Sequence, residues 1–221
     1  MLISRKNPLM QQHVSDPRVD ATKIADATHL SGPERRTFIK RFVRGESAKD
    51  ALAEWEPPLS IFGFTKGQFS LIDIIECLLE KLGPCHLSIS TWTVARADLD
   101  QLEKLLLSDG ILSLRLLIDG FFSSRQPKLL KSAVWKFGNS SIRCCNNHAK
   151  FFLLDNGSEK VACKTSMNLN FNPRFEDFDI SCDVGLCDFL DRIMSDIWGQ
   201  SRGPINKKES MDLFPFQLTG E

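Results

Sequence analysis

Apolar residues recur along this chain in two rhythms, one of 3.6 residues and one of 2, and the chain passes repeatedly from one to the other. Ser70-Leu-Ile-Asp73 opens a helical pattern that runs to about Leu82, with Asp73 placed for a capping box and Gly83-Pro84 as the stop. Residues 86–94, rich in β-branched and apolar side chains, predict a strand. The helical rhythm returns over 98–108, where Leu99, Leu102, Leu105 and Leu106 share one face and Gly110 follows the end. Residues 111–118 are nearly all apolar, as in a strand buried on both faces of a parallel sheet. Pro127 opens a helix carrying Leu129, Leu130, Ala133 and Val134 and ending at Gly138, and 141–145 is a further strand. Runs at 150–155 and 160–166 flank Asn156-Gly157, a dipeptide that favours a type I′ turn, so they predict an antiparallel hairpin. A strand over 178–184 and an amphipathic helix over 186–198 end the pattern.

Such alternation predicts an α/β fold, a mixed β-sheet sandwiched between helices, over residues 65–205. Ahead of it the pattern differs. Residues 1–30 are polar and read as a flexible arm. Residues 31–64 predict a small helical appendage resembling a helix-turn-helix. Its first helix would start at the Ser31-Gly-Pro-Glu34 capping box and bury Phe38, Ile39, Phe42 and Val43. Its second would start at Ser47 and bury Ala48, Ala51, Leu52 and Trp55. Pro57-Pro58 stops it, and residues 206–221 form a tail.

Composition narrows the function. Lys+Arg and Asp+Glu both number 28, so any affinity for an acidic partner must come from local clusters. Seven scattered cysteines contain no Cys-x-x-Cys pair, which argues against a zinc site and for free thiols in a reducing, cytoplasmic setting. No secretion signal is visible in residues 1–16 and no apolar run is long enough to span a membrane.

Candidate chemistry gathers in Asn147-His-Ala-Lys-Phe-Phe-Leu-Leu-Asp155. His148 and Lys150, two apart at a strand start, point to the same side. The hairpin brings Thr165-Ser-Met-Asn168 back alongside, and Glu176 follows. Imidazole is a competent nucleophile at neutral pH, and Lys and Asn present donors where charge builds on a phosphate. A carboxylate on the far imidazole nitrogen would fix its tautomer. Nothing here resembles an acidic cage for a metal ion, and no cofactor is implied.

These residues bear a resemblance to a known family. His148-x-Lys150-x4-Asp155, followed by Thr165-Ser166-x-Asn168 and Glu176, resembles the phospholipase D superfamily signature, His-x-Lys-x4-Asp and then Gly-Ser-x-Asn. The resemblance implies that His148 forms a phosphohistidine, that Lys150, Ser166 and Asn168 hold the phosphate, and that Glu176 orients His148. Asp155 would be structural. Family members combine two motifs, whereas this chain has one, so the resemblance implies a homodimer with two His148 side chains across a twofold axis. Two departures stand out: Thr165 replaces the family glycine, and the spacing from Asp155 to Ser166 is about three residues longer.

The single motif and the absence of membrane features point to a metal-independent nuclease on DNA, of phage, mobile-element or bacterial type. Arg35, Arg36, Lys40, Arg41, Arg44 and Lys49 crowd the helical appendage, where they neutralise several phosphates or form a solvated basic face. Arg125, Lys128, Lys131 and Arg174 are further basic residues that line a groove or serve solubility. Met167, Phe171, Trp92 and Trp135 are read as core. The alternatives are a catalytically silent DNA-binding or scaffold protein and, behind it, a phospholipid phosphodiesterase.

Overall fold

The computed structural model describes residues 28–31, 37–40, 47–200 and 203. Among them, nine strands form one sheet. They are β1 (Thr28–Ser31), β2 (Thr37–Lys40), β3 (Ser60–Thr65), β4 (Cys85–Thr91), β5 (Ile111–Asp119), β6 (Ile142–Cys145), β7 (Phe151–Asp155), β8 (Lys160–Thr165) and β9 (Glu176–Ser181). Their spatial order is β2-β1-β3-β9-β8-β7-β4-β5-β6. The β4–β5 and β5–β6 pairs are parallel and the others antiparallel, so the sheet is mixed.

The helices are α1 (Ala48–Ala51), α2 (Leu71–Leu82), α3 (Arg96–Leu107), α4 (Phe122–Arg125), α5 (Pro127–Phe137) and α6 (Val184–Gln200). Strand residues alternate between two cores. Leu116, Ile118, Phe152, Leu154, Val161 and Cys163 pack in the core that contains Ile74 and Leu78 of α2, Leu99 and Leu102 of α3, and Ala133 of α5. Leu117, Phe151, Leu153 and Ala162 pack with Cys187, Leu190, Met194 and Ile197 of α6. The period of 2 thus feeds both faces, which is why these strands read as unbroken apolar runs. Each such Leu, Ile, Val, Phe or Met side chain, fully buried, contributes roughly 1.5–3 kcal/mol. The α/β sandwich predicted from the pattern is the observed architecture.

Local signals account for the helix ends. The Ser70 side chain accepts from the Asp73 N–H, and Asp73 in turn accepts from the Ser70 N–H at 2.6 Å. Gly83, at φ 78°, ends α2. Ser47 caps α1 by accepting from the Asp50 N–H at 3.2 Å, and Leu52 and Trp55 are buried as predicted. The cysteines described here are unpaired, and burial pushes their thiols up, Cys144 to about 12.

Four expectations are corrected. The helix predicted after Ser31 is replaced at Thr37–Lys40 by strand β2, in agreement with the β-branched and aromatic run Thr37-Phe38-Ile39. Strand β3 crosses the boundary expected at residue 64 and pairs with β9, so residues 60–64 belong to the sheet. The 150–166 hairpin forms, but not through a type I′ turn. Asp155 pairs with Lys160, leaving a four-residue loop in which Gly157 alone has positive φ, at 88°. The Asn156 Oδ1 accepts from the backbone N–H groups of Ser158 and Glu159 and so builds the turn with a side chain. Residues 28–30, expected in the flexible arm, instead belong to strand β1, which pairs with β3; residues 1–27 of the arm and the 206–221 tail lie outside the described residues.

Candidate active site

The carboxyl ends of β4, β5 and β6 share one end of the sheet, where α/β sheets commonly bind ligands. Antiparallel pairing brings the start of β7 and the end of β8 there too, since Ser90 pairs with Phe151 and Phe151 with Lys164. Residues 146–150 lead into β7 and are pinned by Asn147. Its Nδ2 donates to Ser90 Oγ at 3.0 Å and to the Thr91 carbonyl at 3.2 Å, and its Oδ1 accepts from the Ala149 N–H at 3.0 Å. Ser90 Oγ donates to the Ala149 carbonyl at 2.9 Å. With the backbone held, His148 is exposed and Lys150 half-buried beside it. Lys150 Nζ donates to the His148 carbonyl at 3.0 Å and stands 3.4 Å from His148 Nδ1. Burial lowers the Lys150 pKa, and the Glu176 charge acts against that.

The second half of the constellation follows β8. Asn168 Oδ1 accepts from the Trp92 N–H at 3.2 Å and from Thr91 Oγ1 at 3.4 Å, and its Nδ2 makes no hydrogen bond among the described residues. Ser166 Oγ donates to the Glu176 carboxylate and accepts from the Asp177 N–H at 2.9 Å. Asn172 Nδ2 donates to the other Glu176 oxygen at 2.8 Å. The Glu176 hydrogen bonds therefore run to Ser166 and Asn172, among the described residues, and not to the His148 imidazole as expected. Its charge acts on Lys150 instead.

Thr165 donates from Oγ1 to the Asp177 carbonyl at 2.5 Å and accepts from the Met167 N–H at 3.0 Å, so its hydroxyl is spent within the turn that leads out of β8. Asp155 lies at the far end of β7, paired with His86. Its Oδ1 accepts from the Gly157 N–H at 2.8 Å, within the loop that joins β7 to β8.

The residues that pattern-reading missed are Asn147, Asn172 and Trp92. Trp92 was expected in the core, yet its ring lies 5.8 Å from the His148 ring and carries the Arg125 guanidinium 4.2 Å from its centroid. Trp135 and Phe171 are also not core, being 81% and 58% exposed, whereas Met167 is buried as expected. A cavity of about 520 Å³ borders His148, walled by Leu117, Phe151, Ile193 and Ile197. Of the basic cluster, Arg35, Arg36, Arg41, Arg44 and the Lys40 side chain lie outside the described residues. Lys49 pairs with Glu80 at 2.9 Å on the surface. An exposed imidazole with an ammonium 3.4 Å from its Nδ1 is a pair able to attack an anionic electrophile and hold its oxygens.

No family model and no curated protein matches the chain. It is similar in structure to a polyphosphate kinase from Porphyromonas gingivalis, at 13% identity and a TM-score of 0.47, over 71% of this chain and 28% of that one. It is also similar to NucT from Helicobacter pylori, at 11% identity and 0.44, over 64% and 99% of the two chains. A third similar structure is Nuc from Salmonella typhimurium, a phospholipase D family member, at 15% and 0.42, over 65% and 96%. Among the described residues no helix is long and apolar enough to cross a membrane.

Proposed function

We propose that this chain is a metal-independent phosphodiesterase of the phospholipase D kind, a nuclease acting on DNA as a homodimer. The observation that carries the reading is the meeting of His148-x-Lys150 with Ser166-x-Asn168 at one end of the sheet. Trp92 joins the two halves, its backbone N–H on Asn168 and its ring against His148. In this reading His148 Nε2 attacks phosphorus, a P–N bond forms, and the bond to the leaving oxygen breaks. Lys150 and the Asn168 Nδ2 hold the non-bridging oxygens as charge develops. The imidazole of His148 of the partner subunit gives its proton to the leaving oxygen. It then takes one from the water that cleaves the P–N bond and releases His148. Ser166 holds Glu176 by a hydrogen bond, and the Glu176 charge favours the protonated Lys150.

Incubation of plasmid and of single-stranded DNA with the full chain in EDTA tests this. Cleavage is expected, and it is expected to vanish in both His148→Ala and Lys150→Ala. DNA retained but uncut by the wild type would instead identify a binding protein, and activity on phospholipid vesicles alone a lipid enzyme. Sedimentation should find a dimer.

A further inference from the structure

Arg125 is held at the rim of the site by an arrangement that the proposed chemistry does not use. Its Nη2 donates to Asp119 Oδ2 at 2.8 Å, with the Arg125 side chain 38% exposed and that of Asp119 only 4%. Its guanidinium rests on the same indole, Trp92, that contacts His148. A carboxylate buried at the end of β5 is costly without a partner, so the ion pair and the cation–π contact together fix where Arg125 stands. A guanidinium has five N–H donors, and the bond to Asp119 engages one of its nitrogens. Lys150 touches the imidazole itself, whereas Arg125 reaches it only by way of the Trp92 ring. The two cations therefore address different positions along a bound chain.

We infer that Arg125 grips the phosphate next to the one attacked by His148, so that the site prefers substrates with at least two phosphates in succession. This deepens the phosphodiesterase reading and rests on it. The probes are the thymidine dinucleotide dTpdT and the same dinucleotide with an added 5′-phosphate or 3′-phosphate. Equilibrium binding and kcat/KM are both measured on the full chain at one fixed salt concentration. Wild type should bind one of the phosphorylated forms about tenfold or more tightly than dTpdT, as one charge-assisted contact predicts. In the double variant Asp119→Asn with Arg125→Gln, which leaves no carboxylate buried alone, the ratio should fall to about one.

A thermal melt establishes that this variant folds. Should it not, Arg125→Lys decides, because it keeps the charge on Asp119 and loses the planar fork; the ratio should drop at least threefold. A wild-type ratio near one, or a ratio that survives substitution, overturns the inference. Binding separates the two ideas: a ratio that depends on Arg125 without any cleavage sinks the nuclease reading alone, and cleavage without a ratio sinks only the role of Arg125.

Discussion

Lys150 places its ammonium 3.4 Å from the Nδ1 of His148. An ammonium has donors and no lone pair, so Nδ1 accepts in that contact, and a neutral His148 carries its proton on Nε2. Attack through Nε2 requires the opposite tautomer. A phosphate that draws Lys150 to its own oxygens releases Nδ1 to take the proton. Nitrogen NMR of the neutral ring should therefore report Nε2–H in the free protein and a shift toward Nδ1–H on adding inorganic phosphate. A ring whose tautomer ignores the anion would contradict this sequence of events.

The ammonium of Lys150 is also the group whose charge the proposed chemistry needs. Burial makes it easier to deprotonate than an ordinary lysine, whose value is 10.5. A lysine holds a phosphate only below its pKa, so activity should decline on the alkaline side beginning below pH 10.5. Lys150→Arg, weaker overall, should lose that decline. A wild-type profile flat to pH 10.5 would show that the Lys150 charge is not what titrates.

Asn168→Asp separates structure from chemistry. The carboxylate keeps the acceptor for the Trp92 N–H and Thr91 Oγ1, but loses the Nδ2 donor and brings a negative charge toward a phosphate. Stability measured by urea unfolding should change by less than about 1 kcal/mol, while kcat/KM falls about 100-fold or more. Equal activity would remove Asn168 from the site.

Thr165→Gly places at this position the glycine of the phospholipase D signature that the motif resembles. It also deletes a hydroxyl that donates to Asp177 and accepts from Met167, and it loosens the unfolded chain. The expected cost is about 1–3 kcal/mol in urea unfolding, with no gain in kcat. A more active glycine variant would mean that the Thr165 methyl obstructs the phosphate.

Asp98, buried in the first turn of α3, has its carboxyl pushed up to about 6, chiefly by burial, with the charge of Asp73 adding to it. The native state then holds this proton more tightly than the unfolded chain, so stability from this group is full below about pH 4 and declines as pH rises to 6. Asp98→Asn should match wild type below pH 4 and exceed it by about 3 kcal/mol well above pH 6. A gap independent of pH in thermal melts would rule this out.

Features set by near neighbours were legible in the sequence. The Ser70–Asp73 box, the unbroken apolar strands and the His148-x-Lys150 spacing each depend on residues within one turn or one pleat. Features made by distant segments were not. Trp92 meets His148, and Arg125 meets Trp92, only because β4 and β5 run parallel and end together, and nothing near Trp92 in the chain distinguishes it from a core indole. The same holds for Glu176, whose partners Ser166 and Asn172 became apparent only with the β8–β9 turn in place. Asn147 carried one signal, its position next to His148.

Asp155 and His148 stand at opposite ends of β7, and the four residues between Lys150 and Asp155 are the body of that strand. The motif spacing is therefore a gauge of strand length and not of active-site dimensions. Two inserted residues would lengthen β7 by one pleat and leave both ends facing as they do now, whereas one would turn Asp155 onto the opposite face and out of its loop. An insertion of two residues there should therefore leave the His148 end of the strand unchanged, whereas an insertion of one should not.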